Sequence, residues 1–259
     1  MTSSESFEKQ YRLKAIIVFS VLVLVLLNRL FSHSLFYSMH QPVFQLSQDE
    51  FFYRIFLDLC IPQVLTSSPA LSIVFDVLLF TMPLLFLLTR RLIFAVLTFV
   101  FLLIYFFTYN LATGHHYHGL VGAMIVTIPF WTKKENRFNL LWKGARCYWL
   151  YIFASAAMWK IFRGTVFYQE QLSNILKSQQ LDLLLQQPDS FHAQLVQYLI
   201  ANPQFSHWVL VANVLVQLCF AVGFLTKKLD GMLFVLAIVF CIANYFVMSI
   251  VSAELLILN

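Results

Sequence analysis

Charge is the scarcest property of this 259-residue chain, with only 11% of its residues Asp, Glu, Lys or Arg, against about a quarter in soluble domains. A chain so poor in charge lacks the polar surface that a globule needs in water. Glycine and proline are also few, seven of each, and the alternation of apolar and polar residues that marks a membrane barrel is missing. The four cysteines, Cys60, Cys147, Cys219 and Cys241, have no paired spacing. No disulfide framework is written into them, and they read as free packing residues. What remains is abundant apolar character: 60% hydrophobic and 17% aromatic residues, with a mean hydropathy of +0.77. The fold class implied is all-α, a polytopic transmembrane helical bundle. Residues 1–259 then form a single integral membrane domain with no separate soluble part.

Runs long enough to cross about 30 Å of hydrocarbon begin near Ala15, Leu71, Leu92, Gly119, Trp142, Trp208 and Gly231. They predict about seven spans. The first is longer than a signal-peptide core and lacks a small-residue cleavage site, so it reads as a retained span. Arg90 and Arg91, then Lys133, Lys134, Arg137, Lys143 and Arg146, then Lys227 and Lys228 occupy alternate connections, and Lys9, Arg12 and Lys14 precede the first span. Twelve of the seventeen Lys and Arg residues thus share one face, which the positive-inside rule makes cytoplasmic. The expected topology is N-in, C-out, in a cell (inner) membrane. The formal charge of +5 is absorbed by that orientation, and no nucleic-acid partner is implied.

All seven histidines, His33, His40, His115, His116, His118, His192 and His207, fall in connections on the opposite face. Polar residues inside the spans agree: Asp76, Asn110, Lys160, Asn213, Gln217 and Asn244 all lie toward the outer side. Unpaired polar groups are costly in lipid, so these residues should line a polar cavity that opens outward. The two long outer connections, Ser32 to Ala70 and Gly164 to His207, read as amphipathic interfacial helices capping it. In the first, Phe51, Phe52, Tyr53, Ile55, Phe56 and Leu59 suit a helix ended by Pro62; the second is Gln-rich and broken at Pro188 and Pro203. No repeat of fixed period is visible.

Two motifs carry chemistry. Gly114-His115-His116-Tyr117-His118-Gly119 is the densest polar cluster. Imidazoles can bind a metal or move protons near neutral pH, but the spacing also suits a polar turn at the headgroups. It specifies no metal site, so no metal ligand is assigned. Lys160 lies in YIFASAAMWKIFRG, where small residues permit close helix approach. It is either a snorkelling cation or an amine held inside as a base. Asp76 reads as a proton carrier or as the counter-ion of Lys160, whereas Asn213, Gln217 and Asn244 read as interhelical hydrogen-bonding residues.

Taken in order, Gly114-His115-His116-Tyr117, then YIFASAAMWKIFRG after a basic loop, then Ser206-His207-Trp208 and Ala221-Val222-Gly223-Phe224 before a basic turn, resemble the membrane portion of vitamin K-dependent gamma-glutamyl carboxylases. They resemble equally the bacterial horizontally transferred transmembrane (HTTM) domain proteins. The resemblance covers residues 70–250. It implies that Lys160 is the base that deprotonates a reduced quinone, that His115 supports it, and that the active face is extracytoplasmic. In that family oxygen turns the quinol anion into a strong base that removes a proton from a substrate glutamate, and carbon dioxide captures the carbanion. A quinol is therefore the implied cofactor. This chain departs from the carboxylases in having Trp159, not lysine, before Lys160, and it ends at Asn259 without their large extracytoplasmic domain. Two classes of function follow: a carboxylase-like membrane enzyme acting through Lys160 and His115 on a quinol or other lipid-soluble substrate, or a non-catalytic membrane subunit that docks a membrane or extracytoplasmic protein partner through its outer loops. A transporter ranks third, for want of broken half-helices or a repeat.

Overall fold

A computed structural model describes residues 3–39, 51–113 and 119–248, and all the regular structure among them is helical. It consists of α1 (Ser3–Phe31), α2 (Phe51–Asp58), α3 (Ile61–Ser67), α4 (Pro69–Thr89), α5 (Leu92–Thr113), α6 (Gly119–Ile125), α7 (Glu135–Phe162), α8 (Gln171–Gln179), α9 (Leu181–Gln186), α10 (Phe191–Ala201), α11 (Pro203–Cys219) and α12 (Asp230–Met248), with short 3-10 turns between. Five segments are long and apolar enough to cross a membrane: Glu5–Ser38, Pro69–Thr89, Leu92–Ala112, Pro203–Phe224 and Asp230–Met248. At 1.5 Å per residue, 21 residues span about 30 Å. Val235, Val239 and Ile242 of α12 are exposed, an apolar face that water would penalise and lipid tolerates. Of the other two expected runs, the one from Gly119 is the short α6 followed by a 3-10 turn over Ile128–Trp131. The one from Trp142 lies inside α7, which is 28 residues long but carries Glu135, Arg137, Lys143 and Arg146 in its first half.

The chain divides into two compact units, the first ending at Ala145 and the second beginning at Arg146, within α7. In unit 1, α1 and α5 pack on α4, and α3 packs on both α4 and α5. At one end the rings of Tyr11, Phe19, Phe86, Phe130 and Phe138 meet edge-on or tilted, and the Lys14 ammonium sits 4.4 Å from the Trp142 ring centre. At the other end, polar side chains of the long helices hold the connecting segments. Asp76 accepts from the Phe36 and Tyr37 backbone N–H groups at 3.1 and 3.0 Å, Tyr105 donates to the Ser34 carbonyl at 2.7 Å, and Asn110 donates to the Tyr53 hydroxyl at 2.8 Å. These groups satisfy one another where water is excluded.

Unit 2 repeats this plan. Arg29-Leu30-Phe31 ends α1 and Lys160-Ile161-Phe162 ends α7; each helix closes on a left-handed residue, His33 at φ 50° and Gly164 at φ 71°. The His33 and Gly164 N–H groups donate to Leu30 O and Ile161 O at 3.2 and 2.9 Å. A 3-10 turn follows in both units and packs on the later long helix, α4 or α11. That helix opens with proline, Pro69 or Pro203, after a capping residue. In its first turn a fully buried serine reaches back seven residues, Ser72 to the Leu65 carbonyl and Ser206 to the Leu199 carbonyl. The short helices α3 and α10 lie against the corresponding pairs. This shared plan shows no fixed period in the sequence. The shared residues are too sparse to show as a period, because hydrogen-bonding geometry rather than sequence identity carries the plan.

Element boundaries also differ from expectation. Pro62 does not end α2. The left-handed Cys60 (φ 55°) does, and Pro62 sits in the first turn of α3, where its missing N–H costs nothing. α11 begins at Pro203, so His207 lies on the helix instead of in a connection. The helices of the second long connection are amphipathic as expected: Leu172 and Leu176 of α8 bury against Val196 and Leu199 of α10 and Leu210 of α11. The cysteines form no disulfide among the described residues, and Cys60, Cys147 and Cys219 are exposed.

Candidate functional site

The two units use the same scaffold differently. In unit 1, α4 and α5 pack along their lengths, with Leu79, Met82, Thr98 and Leu102 buried. In unit 2, α11 and α12 touch sparsely. A cavity of about 450 Å³ lies against both, walled further by the end of α7 and by α8. Its apolar wall includes Leu172, Ile175, Val216, Val239 and Phe240. Its polar atoms come from Lys160, Asn213, Gln217 and Asn244.

Helix geometry explains the grouping. Asn213 and Gln217 are four residues apart and share a face of α11. Ala157 and Val166 pack with Val214, so the end of α7 comes close to α11, as the small residues around Ala157 allow. The Lys160 ammonium then donates to Gln217 Oε1 at 2.8 Å, and Gln217 is only 4% exposed. Below, Phe153 stacks on Phe220 at 4.1 Å between ring centres, and Trp149 packs edge-on against the same ring. Lys160 therefore points inward. Arg163, one turn on, is the surface cation, with its guanidinium 4.4 Å from the Trp159 ring centre.

Among the described residues no carboxylate lies within ion-pair distance of Lys160. A second polar group is also unmatched among the described residues: Asn213 Oδ1 is buried and accepts no hydrogen bond from them. Buried acceptors of this kind are uncommon, since each forfeits roughly 1–3 kcal/mol. Comparison with protein-family models, with curated proteins and with solved structures gave no match. The cavity's chemistry rests on its own atoms.

Of the residues expected at the site, the structure brings together Lys160, Asn213, Gln217 and Asn244. Asp76 belongs to unit 1, where its carboxylate is taken up by two backbone N–H groups beside a smaller cavity of about 360 Å³ lined by Leu30, Leu35, Tyr37 and Phe80. His115, His116 and His118 lie outside the described residues, and so does the expected pairing of His115 with Lys160. Among the described residues no group of three or more His, Cys, Asp or Glu side chains is arranged to hold a metal. Sequence reasoning missed the clip near the middle of α7. There Arg146 binds Asp230 through two nitrogens at 2.8 and 2.6 Å and also donates to the Gly223 and Thr226 carbonyls at 2.8 and 3.2 Å. Asp230 opens α12, and a lone acid at the start of an apolar run was the available signal.

Proposed function

We propose that this chain is an HTTM or carboxylase-like integral membrane protein that holds a lipid-soluble molecule in the cavity of unit 2, with Lys160 as the group that acts on it. The observation that carries this reading is an inward-pointing amine, bonded among the described residues to a neutral amide, in an otherwise apolar cavity. A volume of 450 Å³ is in the range of small-molecule sites, which are likewise mostly apolar with a few placed polar groups. A quinol fits such a site, because its ring suits the apolar wall and a hydroxyl can donate to Lys160 Nζ. When bound, it supplies a weakly acidic O–H. Lys160 Nζ is the proton acceptor in this reading, and Gln217 Oε1 keeps the amine at the cavity wall without supplying a counter-charge. His115 is the supporting residue that the family resemblance adds.

In the same reading the chain crosses the cell membrane seven times, N-in and C-out, α6 with its 3-10 turn and α7 adding two crossings to the five apolar segments. The active face is extracytoplasmic. Supporting this are the basic residues in alternate connections and the shared depth of Lys160, at the end of α7, and Asn244, toward the end of α12. Cysteines placed at His118 and Gln179 should react with an impermeant thiol reagent on intact cells, and one at Lys134 should not; the reverse pattern would overturn the orientation.

The ligand reading is tested by extracting the purified protein with organic solvent and identifying what co-purifies. A quinone or other isoprenoid-like lipid in stoichiometric amount with the native protein, and its loss in Lys160→Met with thermal stability retained, is the expected result. Equal retention by both proteins would show that Lys160 does not hold the ligand. A second reading, a non-catalytic subunit docking a membrane or extracytoplasmic partner, is favoured by the exposed Phe51, Phe52 and Leu59 at α2. It would be preferred if Phe52→Ser dissociated a co-purifying protein while Lys160→Met had no effect on function in cells.

A further inference from the structure

Unit 2 has a second hollow, of about 600 Å³, at the start of the membrane-length segment Pro203–Phe224. It is lined by Gln169 and Glu170, at the entry to α8, and by Asn202, Gln204, Phe205 and Trp208, around the first turns of α11. It shares no lining residue with the Lys160 cavity. Trp208 and Phe205 are 62% and 48% exposed, so both keep accessible ring surface. Among the described residues the side chains of Gln169, Glu170 and Gln204 have no hydrogen-bond or ion-pair partner. The cations nearest Glu170 along the chain are engaged elsewhere: the Arg163 guanidinium lies 4.4 Å from the Trp159 ring centre, and Lys177 donates to Asn174 Oδ1 at 3.5 Å. Asn202 Nδ2 donates to the Tyr198 carbonyl at 2.9 Å, which leaves its Oδ1 as an acceptor.

Charge decides what such a hollow takes. A phosphate would meet the Glu170 carboxylate with no cation in the lining to offset it. An ammonium meets the opposite difficulty, because α8 and α11 both begin here and each helix N-terminus carries about half a positive charge. Two such half-charges balance one carboxylate, and what remains is a nearly neutral hollow rich in hydrogen-bonding groups and floored by aromatic rings. We propose that it binds a neutral sugar ring, a hexopyranose carried on a lipid or free in the medium. Sugar hydroxyls both donate and accept, as do the amides of Gln169, Asn202 and Gln204, and the Glu170 carboxylate can accept from two neighbouring hydroxyls. The C–H face of the ring is apolar and suits the Trp208 indole. The depth suits it too: Trp208 is five residues into the apolar segment, about 7.5 Å along the helix, close to the boundary between head groups and hydrocarbon. This site does not depend on what the Lys160 cavity holds.

The test uses the full-length protein, purified without sugar-headed detergents, in nanodiscs of equal parts phosphatidylcholine, phosphatidylglycerol and monoglucosyl diacylglycerol, with native mass spectrometry to count the lipids that stay bound. The glucosyl lipid should be enriched at least about fivefold over either phospholipid, the worth of roughly one good hydrogen bond. Glu170→Gln and Trp208→Ala should each lower the enrichment at an unchanged melting temperature, both side chains being exposed. Should Trp208→Ala fail to fold, Trp208→Phe keeps a ring and should keep most of the preference. Lys160→Met should leave it intact, which separates this hollow from the Lys160 cavity. Excess methyl glucoside distinguishes the sources: displacement of the lipid shows that the sugar alone is recognised, and resistance shows that a glycolipid is the ligand. A preference for phosphatidylcholine would assign the hollow to an ammonium and one for phosphatidylglycerol to a phosphate; either overturns the proposal. So would equal retention of the three lipids, enrichment unchanged in both Glu170→Gln and Trp208→Ala, or enrichment lost in Lys160→Met.

Discussion

Arg146 offers the sharpest test of how unit 2 is held. Its guanidinium makes two charge-assisted bonds to Asp230 and two to the Gly223 and Thr226 carbonyls, so one side chain of α7 fixes both the turn after α11 and the first residue of α12. The pair is partly exposed, 18% for Arg146 and 31% for Asp230, so the Coulomb part is screened, and about 1 kcal/mol is all that an ordinary surface pair supplies. The carbonyl contacts add to this, because Arg146→Ala strips both of a charged donor. A total of about 2–3 kcal/mol follows. Arg146→Lys keeps the charge but not the fork and should recover less than half of it. Asp230→Asn keeps the shape and the carbonyl bonds and should cost about 1 kcal/mol. The measurement is the apparent unfolding midpoint in detergent by intrinsic tryptophan fluorescence, at low and at 1 M salt. At about 2–4 °C per kcal/mol for a chain of this size, Arg146→Ala should fall by about 4–12 °C. Asp230→Asn should lose its smaller effect at high salt. If Arg146→Lys were as stable as the native protein, the forked geometry would be irrelevant and the reasoning refuted.

Asp76→Leu should destabilise by about 2–4 kcal/mol, seen as a lowered midpoint, because the Phe36 and Tyr37 N–H groups lose their shared acceptor; Asp76→Asn, which keeps one acceptor, should cost less. Ser72→Ala and Ser206→Ala should cost similar amounts, about 1–2 kcal/mol each, since each frees a buried carbonyl of the preceding short helix. Unequal effects, one near zero, would argue against a common framework in the two units. Gly223→Ala should destabilise by about 1–3 kcal/mol, as the added methyl would meet the Leu150 and Leu233 side-chain ends. Combining it with Leu150→Val should cost less than the sum of the two single changes, and strict additivity in the same melting assay would contradict that contact.

The sequence by itself determined the helical class, most of the long apolar helices and the amphipathic helices of the connection between α7 and α11. These depend on local properties: run length, hydropathy and the spacing of leucines along one helix face. Proline and capping positions were partly legible. Pro203 was read as a break in a connection and Pro62 as a stop; both, like Pro69, open helices, and at Pro62 only the backbone conformation at Cys60 tells one from the other. Lys160, Asn213, Gln217 and Asn244 were recognisable as polar residues that lipid would penalise, and so as residues that had to meet something. What they meet was decided by tertiary structure. Asp76 and Asn110 looked equivalent to them in the sequence, yet in unit 1 they are consumed by backbone and tyrosine partners. In unit 2 the looser contact of α11 with α12 leaves a cavity for the same kind of residue to line. The repeat behind that contrast was hidden for the same reason. A buried serine reaching a carbonyl seven residues back, or a left-handed residue closing a helix, fixes a framework with very few side chains, and the remaining positions are free to diverge.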